Sequence, residues 1–142
     1  MSEQAREIPA DQGRASSAAR PRILLIEDDV LIRSVIAEEL RELGVTVIEA
    51  GTTAEANAYF ECGNSPDLIF SDVRMPGPVN GIDFANHIRR RYPALPIILT
   101  SGFSGVDDIG HAVPFLKKPY QIAEAIALMF DHLGHPPPFG HT

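Results

Sequence analysis

The residues best suited to chemistry stand just after short apolar runs. Residues 23–26 lead into Glu27, Asp28 and Asp29, and residues 68–71 lead into Asp72, which Arg74, Met75, Pro76 and Gly77 follow. Residues 97–99 lead into Thr100, Ser101 and Gly102, and residues 113–116 into Lys117, Lys118 and Pro119. If these runs are parallel strands, their carboxyl ends open on a single crevice. Three carboxylates gathered there would repel one another unless a hard divalent cation sat among them. One of the three could accept a phosphoryl group, while a hydroxyl and an ammonium gripped its oxygens.

The elements that must position these groups are legible in the spacing between them. Residues 22–26, apolar after Arg22, read as strand one. Asp29 can cap a helix running to about Leu43, in which Val30, Leu31, Val35, Ile36, Leu40 and Leu43 recur near helical spacing and Gly44 marks the stop. Residues 45–48 are β-branched and read as strand two. Thr52 or Thr53 opens a second helix to about Glu61. Residues 68–71 are strand three. Asn80 or Gly81 opens a third helix, with Ile82, Phe84, Ala85 and Ile88 on its apolar face, ending near Tyr92-Pro93. Residues 96–99 and 113–116 are strands four and five. Pro119 suits the first position of a last helix running to about Leu133. Alternating strands and helices with apolar strand runs predict a doubly wound, five-stranded parallel sheet, flavodoxin-like, in the order 2-1-3-4-5.

Composition narrows the class. The 142 residues suit one domain, with 44% hydrophobic and 22% charged residues. A formal net charge of -7 argues against direct nucleic-acid binding, which calls for a basic face. The single cysteine, Cys62, cannot form an internal disulfide. It reads as a partly buried small hydrophobe rather than a nucleophile. No apolar run approaches the roughly 18 residues of a membrane span, and the N-terminus lacks the apolar stretch of a secretory signal. The expected location is cytoplasmic, with no membrane partner. Residues 1–20 read as a flexible N-terminal tail, 21–133 as the folded domain and 134–142 as a Pro-rich C-terminal tail.

Taken together, the acidic cluster Glu27-Asp28-Asp29, Asp72 with Met75-Pro76-Gly77, Thr100 and Lys118-Pro119 resemble the receiver domain of two-component response regulators, over about residues 21–133. The resemblance implies roles by position. Asp72 is similar to the phosphoacceptor. Glu27 and Asp28 are similar to the acidic pair that holds Mg²⁺, with Asp72 and the backbone carbonyl of Arg74 completing the metal ligands. Asp29 fits better as the helix cap. Thr100 resembles the switch hydroxyl, and Lys118 the lysine that pairs with the phosphoryl group. Phe115, three residues before that lysine, matches an aromatic switch position, although it also reads as plain core. The partners implied are a histidine kinase or a histidine phosphotransfer protein, in a two-component system or phosphorelay. With no output domain after residue 133 the expected form is a stand-alone signalling module, not an enzyme beyond its own phosphorylation and dephosphorylation; a piece of a larger regulator or of a hybrid kinase would read the same.

Two departures from the family pattern stand out. The loop at 76–81 is one residue longer than usual, and the stretch from Thr100 to Lys118 is short and holds Gly102, Gly105 and Gly110. Glycine costs a helix roughly 1 kcal/mol relative to alanine, so a truncated or irregular fourth helix is expected across 102–112. Two other functions compete. An Mg²⁺-dependent aspartyl phosphatase of the haloacid dehalogenase type would carry Asp-x-Asp after strand one and a cap, and this chain shows neither. A docking receiver that is never phosphorylated would not need the full set of site residues.

Overall fold

The computed structural model describes residues 20–75, 77, 79–102 and 114–134. The expected tails (apart from Arg20 and Gly134), most of the expected fourth helix, Val113, and Pro76 and Pro78 of the long loop lie outside the described residues. In chain order the elements are β1 (Arg22–Ile26), α1 (Val30–Glu42), β2 (Thr46–Ala50), α2 (Thr53–Glu61), β3 (Leu68–Asp72), α3 (Gly81–Arg91), β4 (Ile97–Ser101), β5 (Phe115–Lys117) and α4 (Ile122–Leu133).

All strand pairs are parallel and the sheet order is β2-β1-β3-β4-β5, as the sequence predicts. Successive side chains of a strand point to opposite faces, and here the two faces carry separate cores. Ile23, Leu25, Phe70, Ile98 and Leu116 pack with Ile36, Ala37 and Leu40 of α1 and Ala125, Met129 and Phe130 of α4. Leu24, Ile26, Ile69, Ile97 and Leu99 pack with Ala56 and Phe60 of α2 and Phe84 and Ile88 of α3. Phe60 anchors the second core, with ring centroids 6.3 Å from Phe84 and 5.3 Å from Tyr92.

Caps set the helix starts. The Asp29 carboxylate accepts the N–H groups of Leu31 and Ile32 at 3.0 and 3.2 Å. Thr52 Oγ1 accepts Glu55 N–H at 3.1 Å, and Asn80 Oδ1 accepts Asp83 N–H at 2.9 Å. Each satisfies an otherwise orphaned donor of the first turn.

Several expectations need correction. Strand two runs to Ala50 rather than Ile48, because β1 extends to Ile26 and pairs there with Ala50. Strand four is Ile97–Ser101, not 96–99: the polar Thr100 and Ser101 stay in the ladder opposite Leu116 and Lys117. Strand five is likewise shifted, to Phe115–Lys117. Pro119 is not the first residue of the last helix. Its peptide bond to Lys118 is cis, and α4 starts at Ile122, where the Glu124 carboxylate accepts Gln121 N–H at 3.4 Å. Cys62 is exposed, not partly buried; it caps the C-terminus of α2, beyond the helical face that the sheet covers. On α1 the buried row is Ile36, Ala37 and Leu40, joined by Ile32 and Leu43. Val30, Leu31 and Val35 lie on the neighbouring row, turned away from the sheet, and are 60%, 76% and 47% exposed.

Candidate functional site

Strand alternation gathers the site on one side of the sheet. Leu25, Phe70, Ile98 and Leu116 all face the core under α1 and α4. Glu27, Asp72, Thr100 and Lys118 each follow one of them by two residues, so each continues the same column of side chains to the carboxyl edge. Across that edge Asp72 pairs in register with Thr100, and Thr100 with Leu116.

One carboxylate oxygen from each of Glu27, Asp28 and Asp72 can lie within 4.8 Å of the others. Glu27 and Asp72 are buried, whereas Asp28 is exposed. Lys118 Nζ donates to Asp72 Oδ2 at 2.8 Å and lies 3.7 Å from Glu27 Oε1. The other Asp72 oxygen, Oδ1, accepts the Arg74 N–H at 3.3 Å. Glu27 Oε2 accepts the Asp29 N–H at 3.0 Å.

Burial and close charges shift two of these groups. Burial pushes the Glu27 carboxyl above its ordinary range, and the nearby charges of Asp72 and Asp28 add to this, against the pull of the Asp29 N–H and Lys118. Burial alone would depress the Lys118 ammonium, but the hydrogen bond and charge of Asp72, with Glu27 behind it, hold it above its usual value. The site is therefore two buried carboxylates sharing one ammonium, an arrangement short of positive charge. A third carboxylate beside them makes an oxygen set suited to a hard cation that keeps some of its waters.

Thr100 is 1% exposed and, among the described residues, its Oγ1 has no hydrogen-bond partner. Burying an unpaired hydroxyl is costly. Phe115 is half-buried and leans on the core under α2 and α3, opposite the Thr100 column.

Backbone fit around Asp72 is tight. Val73 N–H donates to Thr100 O at 2.8 Å and Gly81 N–H to Val73 O at 2.9 Å. A Cβ on Gly81 would collide with the Asp72 carbonyl oxygen and stand 2.9 Å from Val73 Cα. Glycine at the start of α3 therefore lets the strand carrying Asp72 sit against that helix.

Two residues to which the sequence reading gave no role also touch this region. Arg33 donates from Nη1 to the backbone oxygen of Glu27 at 2.8 Å and from Nε to Glu49 Oε1 at 3.1 Å. Its position one turn after the Asp29 cap was the available signal. Tyr120, two residues after Lys118, stacks edge-on against Phe70 at 6.1 Å. Among the described residues its buried hydroxyl has no partner, and burial with the Glu27 charge pushes that hydroxyl up to about 12. Tyr120 also lines a cleft of about 520 Å³ beside Lys118, with Ile32, Pro119 and Ile122. A larger cavity of about 710 Å³ lies between α2 and α3 and contains none of the three clustered acids.

Residues 23–129 match the family described as response regulator receiver domain, and the chain belongs to that family. It is 40% identical over 119 residues to the transcriptional regulatory protein PdtaR of Mycobacterium tuberculosis, covering 79% of this chain and 56% of the relative. It is 31% identical over 118 residues to the DNA-binding transcriptional regulator NtrC of Escherichia coli, covering 80% of this chain and 25% of that protein. The chain thus spans about half the length, or less, of these curated relatives. Among solved structures, the receiver domain of the hybrid histidine kinase CckA is 34% identical with a TM-score of 0.67, covering 79% of this chain and 98% of that one. A Francisella response regulator receiver domain gives 25% identity and a TM-score of 0.70, covering 80% of this chain and 96% of that one. The phosphatase alternative finds no support in these likenesses. Among the described residues no helix is long and apolar enough to cross a membrane.

Proposed function

We propose that this receiver takes a phosphoryl group from a phosphohistidine onto Asp72, with Mg²⁺ bound, and signals through a changed protein contact. The observation that carries the reading is Lys118 Nζ at 2.8 Å from Asp72 inside a cluster of three carboxylates. The oxygen set fits the ion: Glu27, Asp28 and Asp72 would hold Mg²⁺, with the Arg74 backbone carbonyl beside them. Bound there, Mg²⁺ would neutralise charge on the equatorial oxygens of the transferred group.

The chain's own residues divide the remaining work. Asp72 is the nucleophile: its carboxylate oxygen bonds to phosphorus as the phosphorus–nitrogen bond of the donor breaks, leaving an acyl phosphate. Lys118 moves its ammonium from the carboxylate to a phosphoryl oxygen, remaining within reach of Glu27. Thr100 turns its unpartnered hydroxyl to another phosphoryl oxygen and gains the hydrogen bond it lacks. Phe115, which rests on the opposite face of the sheet beside Leu99, would have to turn across the edge strand β5 to follow into the space that Thr100 leaves. A covalent change of charge at the crevice thereby alters the outer surface.

The partner reading is a histidine kinase or histidine phosphotransfer protein. Val30, Leu31 and Val35 are exposed on α1 directly after the acidic turn, and the cleft of Ile32, Pro119, Tyr120 and Ile122 opens beside Lys118. A donor helix could rest on this apolar rim with its histidine over Asp72.

The test is incubation with Mg²⁺ and acetyl phosphate, and separately with a phosphorylated histidine-kinase domain, read by intact mass. A Mg²⁺-dependent phosphate adduct that is absent from Asp72→Ala is expected. No adduct from either donor would overturn the reading.

A further inference from the structure

We propose that Arg33 is a positioning residue for the cation site, holding the peptide between Glu27 and Asp28 in the orientation that brings their carboxylates together. The inference rests on the reading of Glu27, Asp28 and Asp72 as the Mg²⁺ ligands.

The Glu27–Asp28 peptide belongs to the turn between β1 and α1, where strand pairing ends. On its strand side the turn is fixed by Glu27 N–H donating to Ala50 O at 3.0 Å. Beyond that point the ladder offers nothing. The Glu27 carbonyl instead accepts Arg33 Nη1 at 2.8 Å. The orientation of this peptide decides where the next side chain, Asp28, points. Among the described residues nothing hydrogen-bonds the Asp28 carboxylate, so the backbone alone aims it.

Arg33 can serve as a fixed point because it is itself held. Its Nε donates to Glu49 Oε1 at 3.1 Å, in a pair whose side chains are 19% and 28% exposed. The second oxygen of Glu49 accepts Arg41 Nη1 at 2.9 Å, and Arg41 Nη2 reaches Val47 O at 3.0 Å. Burial would raise the Glu49 carboxyl, but the hydrogen bonds from Arg41 and Arg33 outweigh it and hold it below its usual range. The result is a chain of contacts from strand β2 through Glu49 and Arg33 to the acidic turn. Space is reserved for it at Gly51, where a Cβ would stand 3.0 Å from Arg33 Nη1.

The role is geometric rather than electrostatic. The charges that act on the Glu27 carboxyl are those of Lys118, Asp72 and Asp28, not that of Arg33. A guanidinium makes both contacts from one rigid plane, through Nε and Nη1. A lysine ammonium keeps the charge but is a single point on a flexible stem, and cannot reproduce both contacts. Charge alone should therefore fail to rescue the site.

The experiment uses the full chain and titrates MgCl₂ calorimetrically into metal-free protein, with folding checked by far-UV circular dichroism. Amide exchange across 27–29 is followed in EDTA. Groups that orient metal ligands from behind typically change affinity about 10–100-fold when lost, so Arg33→Ala should weaken Mg²⁺ binding at least about tenfold and speed exchange at Asp28 and Asp29. Arg33→Lys should fall in the same range. Gly51→Ala approaches the same guanidinium from the other side and should shift affinity in the same direction, which keeps the proposal testable if Arg33→Ala does not fold. Arg41→Ala removes two contacts of the same β2 network but spares the Glu27 carbonyl. Because Arg41 reaches the turn only through the Glu49 it shares with Arg33, its loss should weaken Mg²⁺ binding clearly less than Arg33→Ala does.

Wild-type affinity in Arg33→Lys, or an equal loss in Arg41→Ala, would overturn the positioning role while leaving the cation site intact. Absence of Mg²⁺ binding by the wild-type protein would instead overturn the reading of the acidic cluster, and this inference with it.

Discussion

Replacing Thr100 by valine should make the protein more stable and less responsive. The side chain is 1% exposed and, among the described residues, its hydroxyl has no hydrogen-bond partner. An unsatisfied buried hydroxyl costs about 1–3 kcal/mol. Valine keeps the branched shape that β4 packs between β3 and β5, and it suits a central strand. The swap therefore removes a penalty without opening a cavity. Taking the low end, because the hydroxyl can rotate towards neighbouring backbone, the gain is about 1 kcal/mol, or roughly 4 °C in Tm for a domain of this size. Urea denaturation in EDTA reads it as a raised midpoint at an unchanged slope. The same variant should still form the Asp72 adduct, since the nucleophile and Lys118 are untouched. It should lose the change in amide exchange across 114–119 that a phosphoryl mimic produces in the wild type. A fall in stability of 1 kcal/mol or more would refute the reasoning, because it would mean that the hydroxyl is already satisfied before phosphorylation.

Two further outcomes follow from the geometry. Gly81→Ala places a methyl against the Asp72 carbonyl oxygen and 2.9 Å from Val73 Cα; since backbone must move, it should cost about 1–3 kcal/mol in urea denaturation and slow adduct formation by displacing Asp72. An unchanged midpoint would count against the close approach of β3 and α3. Glu49 sits below its ordinary value of 4.5 in the folded protein, so its stabilising contribution is present above that value and is lost as pH falls through the folded value. Glu49→Gln should accordingly lower Tm at pH 7, and the gap to the wild type should close below about pH 4.5; a gap independent of pH would contradict the pairing with Arg33 and Arg41.

The sheet and the gathering of the site residues were legible because both reduce to local signals. Buried parallel strands read as near-continuous apolar runs, so β1 and β3 were found within a residue of their bounds, and each run led into a residue of the gathered site. Strands two and four were cut short for one reason. Thr100 and Ser101 are polar, yet they pair inside β4, and Glu49 is polar, yet it lies within the edge strand β2; a pattern that ends strands at the first polar residue cuts both short. On α1 the rows 31–35 and 32–36 are equally apolar in the sequence, and only the direction of the sheet selects Ile32 and Ile36. The role of Arg33 was hidden because its acceptor is a backbone carbonyl, which has no letter in a sequence, and because its anchor, Glu49, lies sixteen residues away on another strand.

The alternation that lines up Glu27, Asp72, Thr100 and Lys118 also turns strand length into a measuring stick. Deleting one residue from β3 ahead of Phe70 would carry Asp72 to the opposite face, among Phe60, Phe84 and Ile88, where no ammonium waits for it. Deleting two would restore the face but draw the carboxylate about 6.6 Å below the rim, at some 3.3 Å for each residue of strand. Neither shift has a graded remedy, because the sheet permits whole steps only. Changes in chain length compatible with this chemistry are thus confined to the connections between elements, and the sheet passes on an inherited spacing that point substitution can decorate but cannot adjust.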